Sequence, residues 1–205
     1  MKFFVNFLSA FRIAASFAII ATLWFHMYWV SLVLFVLAAL SDFFDGFLAR
    51  KYDVCTKIGG VMDHIGDKLI VVNTFIMITI ILARIVPLWY VIVPVIILIA
   101  RELYISGLRE FLGTQKIEMP VPKARFSMGK IKTTVQMISI TAFLAFFAMG
   151  SSLTPDTISR VDLIVVPTLF TIAVFCLWLA LLASVWSATQ YTFTFVEKLK
   201  KVKKK

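Results

Sequence analysis

From Ile13 to Ser41 the chain carries no acidic or basic side chain except His26. A bilayer core of about 30 Å takes roughly 20 apolar residues per helix. This run is therefore too long for one span. Its middle reads Trp24, Phe25, His26, Met27, Tyr28, Trp29, the aromatic composition favoured at a membrane interface. The run is expected to break there into two helices. Comparable apolar stretches follow, and 61% of the 205 residues are hydrophobic, where a soluble domain is nearer half. One small globule cannot hide that much apolar surface. Lipid is the solvent that accommodates it.

Six membrane helices are expected, at about 6–26, 29–51, 61–83, 87–111, 131–150 and 162–189. Arg84 and Pro87 separate the third from the fourth. The polar stretch from Gly113 to Lys132, with Pro120 and Pro122, reads as a loop with a surface helix, and Pro155 marks the last turn. The apolar N-terminus raises the possibility of a signal peptide, but Arg12 interrupts it and no small-residue cleavage site stands out. It reads as the first membrane helix. With the N-terminus inside, 19 of the 21 Lys and Arg fall on one side, leaving Arg84 and Arg160 on the other. Cytoplasmic loops carry this excess, so both termini are expected to be cytoplasmic. The net charge of +10 fits such loops and anionic membrane lipid, not nucleic acid. Residues 1–192 form one membrane domain in this reading, and 193–205 a basic tail near anionic headgroups. Cys55 sits in a basic loop and Cys176 in an apolar run, so a disulfide is not expected.

The segment from Asp42 to Asp67 reads DFFDGFLARKYDVCTKIGGVMDHIGD. Asp42 and Asp45 end the second helix, while Asp63 and Asp67 begin the third on the same membrane face. Spacings of three and four put side chains on one helix face, so the two pairs line neighbouring ends of a hairpin. One aspartate at a helix end would read as solvated. Four gathered carboxylates repel unless cations neutralise them, and ionisable groups at a membrane are costly and usually functional. Hard oxygen donors suit Mg²⁺, Mn²⁺ or Ca²⁺. Two such ions about 3.5–4 Å apart form a clamp for phosphoryl displacement. Gly46, Ala49, Gly59 and Gly60 are small enough to let a substrate or a neighbouring helix approach.

Asp42-x-x-Asp45-Gly46-x-x-Ala49-Arg50, then Gly59-x-x-x-Asp63-x-x-x-Asp67, resembles the signature of the CDP-alcohol phosphotransferases at every defined position. The resemblance implies six transmembrane helices around a polar cavity open to the cytoplasm, in the cell membrane. It implies Asp42, Asp45 and Asp63 as metal ligands, and Asp67 as ligand and catalytic base. Gly46, Ala49 and Gly59 would border the cytidine nucleotide of the CDP-lipid, and Arg50 would support its phosphates. Cofactors would be Mg²⁺ or Mn²⁺, as two ions, and the family commonly forms homodimers.

Two further segments, Ala100–Glu110 and Gly129–Met137, resemble the phosphatidylglycerophosphate synthases of that family. They are expected to bring Arg101, Arg109, Lys130 and Lys132 to the cytoplasmic face beside the aspartates. A phosphorylated acceptor needs such cations, whereas serine or choline does not. Arg109 and Lys132 are the leading candidates for the acceptor phosphate, with Arg101, Lys130 and Arg12 beside them. The competing reading pairs some of these with Glu102 and Glu110 or with lipid headgroups. Three departures stand out: His64 follows the third aspartate where that subfamily has Pro, Gly66 precedes the fourth where it has Ala, and Leu8-Ser9-x-x-Arg12 replaces a Leu-Thr-x-x-Arg pattern. His64 lies at i+1, off the Asp63/Asp67 face. The implied reaction transfers phosphatidyl from CDP-diacylglycerol to glycerol 3-phosphate, giving phosphatidylglycerophosphate and CMP. The alternatives are a related enzyme with another acceptor (phosphatidylglycerol, serine or an inositol phosphate) and, more remotely, a cation transporter, which would place its acids near the bilayer midplane.

Overall fold

In the computed structural model, residues 2–52, 57–85, 88–114, 128–154 and 159–202 are described. Among them the secondary structure is entirely helical: α1 (Lys2–Trp24), α2 (Tyr28–Tyr52), α3 (Lys57–Ile85), α4 (Trp89–Thr114), α5 (Met128–Ser152) and α6 (Asp162–Val202). Each expected helix is found. The sixth runs on to Val202 where about 189 was expected, because nothing from Tyr191 to Lys201 breaks a helix. The loop expected between the fourth and fifth helices falls largely on 115–127, outside the described residues.

The break in the first apolar run is a helix cap. His26 takes a left-handed φ of 60°, its N–H donates to the Leu23 carbonyl at 3.1 Å, and the Met27 N–H donates to the Thr22 carbonyl at 2.8 Å. These bonds are the crossed pair that ends a helix when the next residue turns left-handed. His26 Nδ1 then meets the Tyr28 hydroxyl at 2.7 Å, where α2 begins.

Among the described residues, four stretches are long and apolar enough to cross a membrane: Ile65–Arg84, Trp89–Thr114, Ile131–Ser152 and Asp162–Glu197. The apolar stretches Ala10–Trp24 and Tyr28–Ser41 are shorter. Large apolar side chains face outward all along these helices, among them Phe17, Leu37, Ile76, Ile96, Leu182 and Trp186. In water that surface would drive aggregation; in lipid it is at home.

The chain divides into two compact units. The first holds residues 1–88 and 137–174. There α1 packs against both α2 and α3. Burial of Ala15, Ile19 and Leu23 at i, i+4 and i+8 makes one stripe of α1 the inner face. Lipid tails are as apolar as leucine, so hydrogen bonds between helices matter for register. Ser31 Oγ donates to Thr22 Oγ1 at 2.8 Å and locks α2 antiparallel on α1. Asn73 Nδ2 donates to Ser16 Oγ at 3.4 Å, and the Arg84 guanidinium lies 5.2 Å from the Trp24 ring centroid. Those two contacts ascend together, so α3 runs parallel to α1. Further along, Ser139 Oγ donates to the Ala173 carbonyl at 2.8 Å, and Phe143 stacks edge-on to Phe170, which makes α5 and α6 antiparallel.

The second unit holds residues 89–136 and 175–205. Trp178 Nε1 donates to the Tyr90 carbonyl at 3.1 Å, Tyr104 meets Thr192 at 3.2 Å, and Phe111 packs on Phe195. Both partners advance together here too, so α4 and α6 are parallel. These pairings are the directions that alternating crossings require.

Candidate metal and phosphate centre

Register along α1 brings the acids of the first unit to one level. Arg12 lies ten residues before Thr22, and Ser41 ten after its partner Ser31. Asp42 therefore stands beside the level of Arg12, and Asp45 about a turn further toward that end. On α3, Asp67 meets Arg12 itself, and Asp63 lies one turn earlier in the same direction. The motif's two halves thus fall on two helices, both packed on α1, in one band about a turn deep.

Arg12 is the centre of this arrangement among the described side chains. It is 1% exposed, and its Nη1 donates to Asp67 Oδ1. A guanidinium that deep is tolerated only against an acid. Asp67 is 37% exposed in the same pair, so part of its carboxylate remains reachable. The side chains of Asp42, Asp45, Gly46, Ala49, Arg50, Gly59, Asp63 and His64 lie outside the described residues, although their backbones belong to α2 and α3. Among the described residues no three His, Cys, Asp or Glu groups gather as a metal-holding set. The donor set itself suits a hard cation: its members are carboxylates, and the described one already attracts a positive charge.

The acceptor-phosphate candidates other than Arg12 belong to the second unit. Lys132 is 5% exposed and pairs with Glu102. Arg101 Nη1 approaches the same carboxylate at 3.3 Å, while its Nε donates to the Ser184 carbonyl at 3.1 Å and its Nη2 to Ser187 Oγ at 3.0 Å. Arg109 donates to the Tyr191 hydroxyl at 2.9 Å, with its guanidinium 5.1 Å from that ring's centroid. The Lys130 side chain lies outside the described residues. Two of the expected cations are therefore matched to Glu102, the pairing weighed as the competing reading. Two features went unread in the sequence. On α6, the Ser184 carbonyl and the Ser187 hydroxyl anchor Arg101, and the Tyr191 hydroxyl anchors Arg109; the two hydroxyl-bearing side chains, four residues apart on one helix face, were a usable signal. The pairing of Arg12 with Asp67, residues 55 apart, left no local signal at all.

Comparison with known proteins fits the motif to a family. The family described as CDP-alcohol phosphatidyltransferase matches residues 3–196. A Cereibacter sphaeroides protein named CDP-diacylglycerol–glycerol-3-phosphate 3-phosphatidyltransferase is 40% identical over 66% of this chain and 60% of its own length. A Rickettsia bellii protein of the same name is 37% identical over 72% of this chain and 77% of its own. In Arabidopsis thaliana, CDP-diacylglycerol–glycerol-3-phosphate 3-phosphatidyltransferase 2 is 36% identical over 65% and 60%. The chain thus spans about 60% of the length of two of these three relatives. With a family match over nearly its whole length, and with several helices able to cross a bilayer, this multi-pass membrane protein belongs to the CDP-alcohol phosphatidyltransferase family.

Proposed function

We propose that this chain transfers phosphatidyl from CDP-diacylglycerol to glycerol 3-phosphate, giving phosphatidylglycerophosphate and CMP. The observation that carries the reading is the four-aspartate motif, whose halves share one level along α1, in a chain whose relatives bear the name of this activity.

Asp42, Asp45, Asp63 and Asp67 would hold Mg²⁺ or Mn²⁺, as two ions. Bound there, the ions would neutralise the pyrophosphate and stabilise the leaving CMP. Asp67 accepts the proton of the acceptor hydroxyl as that oxygen bonds to the lipid-side phosphorus and the bond to CMP breaks. Gly46, Ala49 and Gly59 leave room for the cytidine nucleotide, and Arg50 supports its phosphates. Arg109 and Lys132, with Arg101, Lys130 and Arg12, are the cations for the acceptor phosphate. The helices make six spans around a polar cavity. Both termini and the site face the cytoplasm of the cell membrane, and the charge distribution supports that orientation. The tail lysines lie against anionic lipid, and the working form is a homodimer.

The test is CMP release by purified protein in detergent with CDP-diacylglycerol, with and without glycerol 3-phosphate and Mg²⁺. Release that needs both supports the reading. Release with another alcohol but not this one changes the acceptor. No release with any acceptor returns the cluster to a binding site.

A further inference from the structure

We propose that Arg12 is a built-in rival of the metal at Asp67, which yields its place when a pyrophosphate arrives and so couples metal binding to nucleotide binding. This rests on the reading of Asp67 as a metal ligand. Arg12 is buried to 1% exposure and its guanidinium donates directly to Asp67 Oδ1. It projects from α1, the helix against which both acid-bearing helices pack, at the level of Asp42 and Asp67. A guanidinium and a divalent ion drawn to the same carboxylate repel one another, and with Arg12 buried that repulsion is only partly screened. Without nucleotide, Arg12 offsets the charge of Asp67, and the site holds metal less tightly than the bare acids would. Guanidinium groups bind phosphate oxygens in a two-pronged fashion as readily as carboxylates. A pyrophosphate entering this band offers Arg12 another anion, and Asp67 is then left to the metal. Coupling of this kind is reciprocal: metal must tighten nucleotide by the factor by which nucleotide tightens metal.

The experiment measures Mn²⁺ affinity by the electron paramagnetic resonance signal of free Mn²⁺, with purified full chain in detergent, with and without CDP. In the native protein CDP is expected to tighten Mn²⁺ by about tenfold, within the usual range for coupled sites. In Arg12→Gln, Mn²⁺ without CDP binds about tenfold tighter than in the native protein, and the CDP effect falls to within about twofold. A purely structural Arg12 predicts the opposite, with Mn²⁺ binding weakened or unchanged; that result, or an undiminished CDP effect, overturns the proposal. Should Arg12→Gln fail to fold, Arg12→Lys decides. It keeps the charge but loses the two-pronged geometry, so Mn²⁺ alone binds as in the native protein and the CDP effect shrinks severalfold. An unchanged CDP effect in that variant also overturns the proposal. Native protein that binds no Mn²⁺ at all, with Asp42→Asn indistinguishable from it, sinks the four-aspartate reading itself, a different outcome from either failure above.

Discussion

Glu102 on α4 pairs with Lys132 on α5, and the same carboxylate stands 3.3 Å from Arg101 on its own helix. One acid thus answers two cations, one of them 5% exposed. Removing a single partner from a buried pair is far costlier than removing both. Glu102→Ala is expected to lose about 3 kcal/mol of stability. Glu102→Gln combined with Lys132→Met should recover more than half of that. Unfolding of both variants in detergent checks the order; a double variant less stable than Glu102→Ala would refute it.

Lys132 is also the cation proposed for the acceptor phosphate, and kinetics can separate that role from its structural one. Lys132→Met is expected to raise the KM for glycerol 3-phosphate by at least about tenfold, since a charge-assisted hydrogen bond contributes roughly 1.5–3 kcal/mol. The KM for CDP-diacylglycerol should move by less than about twofold, as expected of an interaction with one substrate only. Equal rises in both constants would mean that Lys132 supports the fold and not the acceptor.

Asp42→Asn and Asp67→Asn test the acids from two helices. Both exchanges keep size and remove charge. Asp42→Asn should preserve folding, whereas Asp67→Asn takes a charge away from the buried Arg12 and is expected to lose about 3 kcal/mol of stability. Per folded molecule, CMP release should fall in each by at least about a thousandfold, the scale of losing a group that acts as part of a unit. Either variant retaining near-native turnover would remove that residue from the centre. Treatment with EDTA should likewise abolish release, and added Mg²⁺ or Mn²⁺ should restore it. Activity that survives exhaustive chelation would exclude the divalent-metal reading.

The helices were legible because each depends on local composition, and the interface aromatics around His26 marked the first break. The motif was legible because Asp42/Asp45 and Asp63/Asp67 repeat at helical spacing. Partner choice was not. Several acids and cations share the same membrane face in sequence, and only packing selects Asp67 for Arg12 or Glu102 for Lys132. Part of what α6 offers was hidden for another reason: Arg101 is held by the Ser184 main-chain carbonyl, which leaves no trace in a side-chain pattern, beside the single Ser187 hydroxyl.

The left-handed residue between α1 and α2 gives the last test, because it isolates backbone strain from the site. His26 holds φ at 60°, a region that costs a side chain roughly 1–2 kcal/mol and glycine almost nothing. Against this, its ring bonds Tyr28 at 2.7 Å at an exposed position, where one hydrogen bond contributes about 1 kcal/mol. His26→Gly should therefore be close to neutral, as the strain relieved and the bond lost offset each other. His26→Val loses the same bond and adds the crowding of a β-branched side chain, so it should fall at least about 2 kcal/mol below His26→Gly. Thermal unfolding of the two variants side by side reads the difference, and CMP release per folded molecule should not change in either. Equal stabilities would show that this turn adopts another conformation in the membrane, and that the cap does not fix the entry to α2.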